Sequence, residues 1–195
     1  MRPSNFRPGV EELSLLYPVT TEIPKEDASY LETLRAFYDG AAAQIAAYLD
    51  RCHTVAVIAE GDPLFYGSYM HLHVRLARRY PTEVIAGVTG MSGCWSAIGE
   101  PIAQGDDVFT VLPGTLPEYE LERRLADADA AVVMKIGRHL AKVRRALDRT
   151  GRLERAIYVE RGTMTNAAIM PLIDKLDTYA PYFAIVLVPG WEARP

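Results

Sequence analysis

Thr54-Val55-Ala56-Val57-Ile58-Ala59-Glu60-Gly61-Asp62-Pro63-Leu64-Phe65-Tyr66-Gly67-Ser68 is an apolar run that breaks into a turn rich in glycine. The run 55–59 is continuous rather than alternating, as in a strand buried on both faces. Residues 66–79 then read as a helix. A tight loop at the carboxyl end of a buried strand is where open α/β sheets bind ligands. Gly61 lets the backbone approach a ligand, Asp62 is an acidic acceptor, and Pro63 removes a donor and stiffens the turn. The same residues also suit an Asx-type turn, in which Asp62 holds backbone amides and touches no ligand.

Upstream, Ser29-Tyr30-Leu31-Glu32 fits a capping box. After it Leu31, Leu34, Tyr38, Ala41, Ile45, Tyr48 and Leu49 recur at helical spacing, predicting a helix to about Asp50. Residues 1–8 read as loop. Downstream, a strand at 83–86 leads into Gly87-Val88-Thr89-Gly90-Met91-Ser92-Gly93, which opens a short helix ending near Gly99. This stretch matches neither a Walker loop nor the dinucleotide fingerprint. It suits amides facing a ligand at a helix N-terminus, or close helix–strand packing through small residues; spacing alone favours packing.

Pro101, Gly105, Asp106 and Asp107 mark a junction that divides the chain into 1–103 and 104–195. Beyond it, strands at 108–112, 130–134, 156–160 and 182–188 alternate with helices. One helix runs from Pro117 to about Asp127. The next buries Leu140, Val143 and Leu147 and ends at Gly151. Two further loops close strands: Met134-Lys135, and Arg161-Gly162-Thr163-Met164-Thr165-Asn166. Met134 suits an apolar ligand surface or a core, and Lys135 an anion or plain solvent. Strand–helix alternation predicts two α/β domains, each with a largely parallel sheet, and a ligand cleft between them.

The chain has 195 residues, 49% of them hydrophobic, enough for a full core. A net charge of -4 leaves no excess of Lys and Arg for phosphates, which argues against nucleic acid. No apolar run reaches a membrane span of roughly 18 residues, and Met1-Arg2-Pro3-Ser4-Asn5 lacks the apolar stretch of a signal peptide. Cys52 and Cys94 make neither a disulfide framework nor a zinc spacing, so a reducing cytoplasm is expected. His71 and His73, two apart, would leave a helix on different faces, and no metal site is expected. Neither cysteine has an evident His partner, and no G-x-S-x-G elbow occurs.

Taken together, these segments resemble the tetrapyrrole methyltransferase family. Gly61-Asp62-Pro63 followed by Tyr66-Gly67-Ser68 is similar to its G-D-P loop. Gly87–Gly93 is similar to its P-G-[IV]-[ST]-S signature, with Ala86 and Gly90 where the family has proline and serine. Arg161-Gly162-Thr163 is similar to its late R-G-T. Leu16-Tyr17-Pro18-Val19-Thr20-Thr21-Glu22 and Val159-Glu160-Arg161 extend the likeness toward members that build corrin rings. The family's opening strand and G-x-G-P-G-D-P-x-x-L-T loop have no counterpart, so the first strand and loop are expected to be missing.

The resemblance implies methyl transfer from S-adenosylmethionine, released as S-adenosylhomocysteine, to a small tetrapyrrole. It also implies a homodimer. Members acting on an elongation factor or ribosomal RNA exist, and the acidic balance disfavours RNA. Glu60, Gly61 and Asp62 would hold the methionine end of the donor. Thr89, Gly90 and Met91 would face its ribose and sulfur, and Met134 with Thr163 its adenine. Lys135 and Arg161, with Arg138, would meet substrate carboxylates, and Tyr66 would form an aromatic wall. Asp62 and Tyr66 are the candidates for a catalytic proton role. Because the methyl is already activated, alignment is the main task, which can contribute about 7–11 kcal/mol.

Overall fold

The helical spacing of the first half becomes α1 (Ala28–Leu49) in the computed structural model, which describes residues 9–18 and 28–190. The expected loop at 1–8 lies outside the described residues, as do positions 19–22. The helix is under way by Ala28, so Ser29 lies inside it and is not its cap. Tyr38, Ala41, Ala42 and Ile45 are buried against Leu72 of α2 (Tyr69–Leu76), with Leu34, Phe37 and Val55 packed around them. Leu31, expected on this face, is exposed. The helix expected over 66–79 is shorter because Tyr66 takes a left-handed φ of 53°, which cannot belong to a right-handed helix. Tyr38 stacks on His71 at 4.3 Å, and Arg75 Nε donates to Asp39 at 2.7 Å. These elements form a first compact unit, Met1–Gly87.

Here the expectation of a sheet in the first half is corrected. The runs 55–59 and 83–86 carry no strand ladder, and Ile58 and Ile85 are 71% and 73% exposed. A strand is stabilised by the hydrogen bonds of its neighbour. No described residue of this unit forms a ladder with either run, so the apolar runs stay single.

The second unit, Val88–Pro195, holds a five-stranded sheet of order β1-β2-β5-β3-β4. Its strands are β1 (Phe109–Pro113), β2 (Ala130–Met134), β3 (Ile157–Glu160), β4 (Ala168–Pro171) and β5 (Ala184–Val188). The sheet is mixed, not largely parallel: β1 and β2 pair parallel, while β5 runs antiparallel to both β2 and β3, and β4 antiparallel to β3. The cause is connection length. β1 reaches β2 through α4 (Glu118–Ala126), and β2 reaches β3 through α5 (Leu140–Arg149), as parallel crossovers require. No α-helix separates β3, β4 and β5: β4 turns straight back along β3, and β5 crosses to the other side of β3, where it too runs antiparallel. β4 escaped sequence reading because it is four residues long, lies at the sheet edge and ends in proline.

Both sheet faces are covered, which explains why β2 and β5 are continuously apolar. Ala131, Val133, Tyr158, Val186 and Val188 face α4 and α5, joining Leu121, Leu125, Leu140, Val143 and Leu147. Val132, Val159 and Leu187 face α3 (Gly90–Ile98) through Met91, Cys94, Trp95 and Ile98. The helix α3 thus belongs to the second unit's core, although a division at 103/104 places it in the first half. α5 ends as its Gly151 indicates. The N–H of Arg152 donates to Leu147 O (2.8 Å) and that of Gly151 to Asp148 O (3.0 Å), a Schellman arrangement with Gly151 at φ +66°. Among the described residues, no helix is long and apolar enough to cross a membrane.

Candidate functional site

Strand direction gathers one set of candidates. β3 opposes β5, which opposes β2, so β1, β2 and β3 point the same way and end together at Pro113, Met134 and Glu160. The turns after these strands are tied across the edge. The N–H of Gly114 donates to Met134 O (2.6 Å) and that of Arg161 to Phe183 O (2.8 Å). The backbone is left-handed immediately after two of the three strands, at Lys135 (φ 56°) and Arg161 (φ 49°). A residue with a full side chain costs about 1–2 kcal/mol there. Such outliers concentrate where the chain is bent for a purpose.

The loop after β3 lies tight against α3. A Cβ on Gly93 would stand 2.8 Å from Thr163 Cγ2, and one on Gly162 would stand 2.8 Å from Cys94 Sγ and 2.9 Å from Val159 Cγ1. Gly93 therefore serves the close packing that spacing suggests. Gly90 does not: a Cβ there meets nothing within 4 Å. The first turn of α3 is capped by Thr89, whose hydroxyl accepts from Ser92 N at 3.2 Å and pairs with Ser92 Oγ at 2.7 Å. Met91 packs on the α3 face of the sheet, and Met134 follows Val132 onto that face by strand alternation. Thr89, Gly90, Met91, Met134 and Thr163 are thus gathered around α3 and the sheet face it covers. The thioethers of Met91 and Met134 give that face a soft, apolar surface beside the start of the helix.

In the first unit, Asp62 holds its turn. Oδ1 accepts from Leu64 N at 2.9 Å and Oδ2 from Gly87 N at 3.1 Å. Gly61 has φ +74°, and a Cβ on Gly87 would strike the Gly61 carbonyl. The loops at 60–62 and 87 are therefore in direct backbone contact. Asp62 is engaged as the Asx alternative describes, and by serving Gly87 as well it braces a second loop. Tyr66, left-handed and exposed, stacks edge-on with Phe65 at 4.9 Å.

His71 and His73 make separate ring contacts, with Tyr38 and Tyr69, and no metal-binding cluster occurs among the described residues. Both cysteines are free, and burial pushes the Cys94 thiol up, which keeps it protonated and unreactive near neutral pH. Arg138 is exposed in a short 3-10 turn (Gly137–His139). Sequence reading missed Tyr158 and Glu160. The Tyr158 hydroxyl donates to Glu160 Oε2 at 2.7 Å, and Glu160 Oε1 pairs with Arg161 Nη2. The signal was present: residues 158 and 160 share a face of the strand.

A mixed sheet covered on both faces, with bent loops along its carboxyl edge, defines an α/β unit of the class that binds ligands at that edge. The chain belongs to the tetrapyrrole (corrin/porphyrin) methylase family, whose model matches residues 9–177. It is 62% identical to a precorrin-2 C(20)-methyltransferase of Sinorhizobium over 97% of this chain and 78% of that protein. It is 49% identical to the cobalamin biosynthesis protein CobIJ of Mycobacterium tuberculosis over 97% of this chain, spanning only 37% of that longer protein. The fold is also that of a solved cobalt precorrin-4 methyltransferase (TM-score 0.63, 19% identity, covering 78% of this chain and 70% of that one). It is likewise that of a Thermus thermophilus uroporphyrin-III C-methyltransferase complexed with S-adenosylhomocysteine (TM-score 0.54, 23% identity, covering 82% of this chain and 73% of that one).

Proposed function

We propose that this protein transfers a methyl group from S-adenosylmethionine to C20 of precorrin-2, giving precorrin-3A in corrin-ring synthesis. The observation that carries this reading is the 62% identity to a precorrin-2 C(20)-methyltransferase across almost the whole chain. S-adenosylmethionine, when bound, supplies a methyl already activated on a sulfonium, so that transfer to the nucleophilic ring carbon leaves S-adenosylhomocysteine and a proton to be removed.

The chain's own residues then bind and align. The open backbone at Gly90, with the thioethers of Met91 and Met134 and the Thr163 loop, accepts the nucleoside. Glu60 and Gly61, fixed by the Asp62 brace, present main-chain groups to the amino-acid end. Lys135, bent out of the sheet by its left-handed backbone, meets a carboxylate of the macrocycle. Tyr66 supplies a ring face for stacking. Asp62 positions the loop, since both its oxygens are occupied by amides. A homodimeric cytoplasmic enzyme agrees with the composition and the family likeness.

A second acceptor is the cobalt-bearing ring. The chain is also 26% identical to a cobalt-precorrin-2 C(20)-methyltransferase of Salmonella typhimurium over 80% of its length. The deciding experiment incubates the purified protein with labelled S-adenosylmethionine and either metal-free precorrin-2 or its cobalt complex. One labelled methyl at C20 of the metal-free ring is the expected product. Faster transfer to the cobalt complex reverses the choice of acceptor, and no transfer to either ends the proposal.

A further inference from the structure

Glu160 is 13% exposed, a carboxylate mostly withdrawn from water at the end of β3. Such a group persists only when its oxygens are satisfied. Each oxygen has its own partner: Oε2 accepts from the Tyr158 hydroxyl at 2.7 Å, and Oε1 pairs with Arg161 Nη2. Arg161 is also bound on its other side, Nε donating to Asn166 O at 3.2 Å. The backbone of the same loop closes on itself through Met164 N to Arg161 O (2.8 Å) and Ala167 N to Met164 O (3.1 Å). Arg161 thus spends its guanidinium inside its own loop. That compensates for the left-handed φ of 49°, where a side-chain-bearing residue is strained. Lys175 Nζ, paired with Asp177 at 2.8 Å, lies 5.0 Å over the Tyr158 ring and holds that face of the tyrosine.

We propose that Glu160 is a positioning residue: with Tyr158 it clamps Arg161 and so fixes where Gly162 and Thr163 meet α3, setting the affinity of the methyl-donor subsite, not that of the tetrapyrrole. The step from clamp to subsite is steric. Gly162 and Thr163 already stand at closest approach to Cys94 and Gly93, so a shift of the loop moves Thr163 against the helix that opens at Gly90. The inference rests on the proposed methyl-donor reading. It changes one part of it, because an arginine locked to Glu160 and Asn166 serves the loop before it serves a substrate carboxylate.

The test uses Glu160→Gln, which keeps shape and an acceptor but removes the charge, and Tyr158→Phe, which removes one hydroxyl. Binding of S-adenosylhomocysteine is measured by calorimetry, KM for both substrates by initial rates, and Tm by thermal unfolding. Loss of one charge-assisted bond corresponds to about tenfold in affinity. Glu160→Gln is expected to weaken S-adenosylhomocysteine about tenfold and leave the tetrapyrrole KM within about twofold. Tyr158→Phe is expected to move the same parameter by less. Unchanged S-adenosylhomocysteine affinity in both variants, or a rise confined to the tetrapyrrole KM, overturns the inference. If Glu160→Gln fails to fold, Tyr158→Phe decides by the same readouts. Wild-type protein that binds no S-adenosylhomocysteine refutes the methyl-donor reading itself, a result distinct from variants that bind as the wild type does.

Discussion

Two glycines three residues apart should respond to alanine in opposite ways. At Gly87 a Cβ would strike the Gly61 carbonyl oxygen and stand 2.8 Å from its carbon and 3.1 Å from Asp62 Cα. All three atoms are backbone, so no side chain can swing away. Ordinary contact begins at 3.4 Å, and relieving the carbon contact alone needs a shift of about 0.6 Å. Such overpacking costs about 1–3 kcal/mol, and loss of the Gly87 N to Asp62 Oδ2 bond adds about 1 kcal/mol. Gly87→Ala should therefore lower Tm by about 5–12 °C. By moving the Glu60–Asp62 turn it should also weaken S-adenosylhomocysteine about tenfold, since displacement near 1 Å can cost far more in alignment. At Gly90 a Cβ meets nothing. Gly90→Ala should leave Tm unchanged or raise it, as alanine is favoured over glycine in a helix by about 0.5–1 kcal/mol. It should still weaken S-adenosylhomocysteine, because the methyl would enter the space assigned to the nucleoside. Calorimetric binding and thermal unfolding of both variants decide the matter. Equal Tm losses would refute the steric reasoning, and undiminished binding by Gly90→Ala would refute the assignment of that space.

Lys135→Gly relieves a left-handed lysine, so stability should hold or rise by about 1 kcal/mol, while KM for the tetrapyrrole rises; a fall in Tm with unchanged KM would contradict both roles. Burial, reinforced by the bond to Glu160, holds the Tyr158 phenol well above its ordinary 10.0. The unfolded chain then loses that proton first, so this contribution is complete below pH 10 and is lost as pH climbs toward the folded value; Tyr158→Phe should flatten the alkaline decline seen by circular dichroism. The Arg145 guanidinium holds Glu118 below its ordinary 4.5, with bonds of 2.6–3.2 Å joining α5 to α4. That stabilisation is present above pH 4.5 and is lost as pH falls through the folded value; Glu118→Gln should narrow the stability difference between pH 6 and pH 3. Cys52, exposed, should react with iodoacetamide at pH 8 well before the half-buried Cys94, as peptide mapping by mass spectrometry would show.

Much of the second unit was legible because its signals are local. β2 at 130–134 was bounded as found, and α3, α4 and α5 began and ended near Thr89, Pro117, Gly99 and Gly151. Those boundaries rest on caps and prolines, which act within a few residues. Pairing was not legible. An apolar run such as 55–59 looks the same with or without a neighbour to take its hydrogen bonds, and Ile58 is left exposed. Direction is hidden for a related reason: whether a strand returns parallel depends on how the chain between strands is spent, and β4, at the sheet edge and ending in proline, carries no strand signal. Of the site, the glycines and the Asp62 turn could be read. The left-handed backbone at Lys135 and Arg161 could not, because neither residue type announces that conformation.

That misreading bears on what lysine and arginine do at the sheet edge. Both follow a strand directly, both are left-handed, and both were assigned to substrate carboxylates on charge alone. The geometry separates them. The Arg161 guanidinium is bound to Glu160 and Asn166, and its own carbonyl to Met164 N. The strain there is offset inside the loop, and a lysine in its place could not reach two acceptors in fixed directions. Lys135 is exposed, and its strain serves the close turn in which Gly114 meets Met134 and Ile136. Arg161→Lys should therefore act like Glu160→Gln, reducing donor affinity, whereas Lys135→Arg keeps the charge at the edge and should retain tetrapyrrole binding. Steady-state KM values for donor and acceptor, measured in both variants, separate the roles; an unchanged donor KM in Arg161→Lys would mean that charge, and not the clamp, governs this edge.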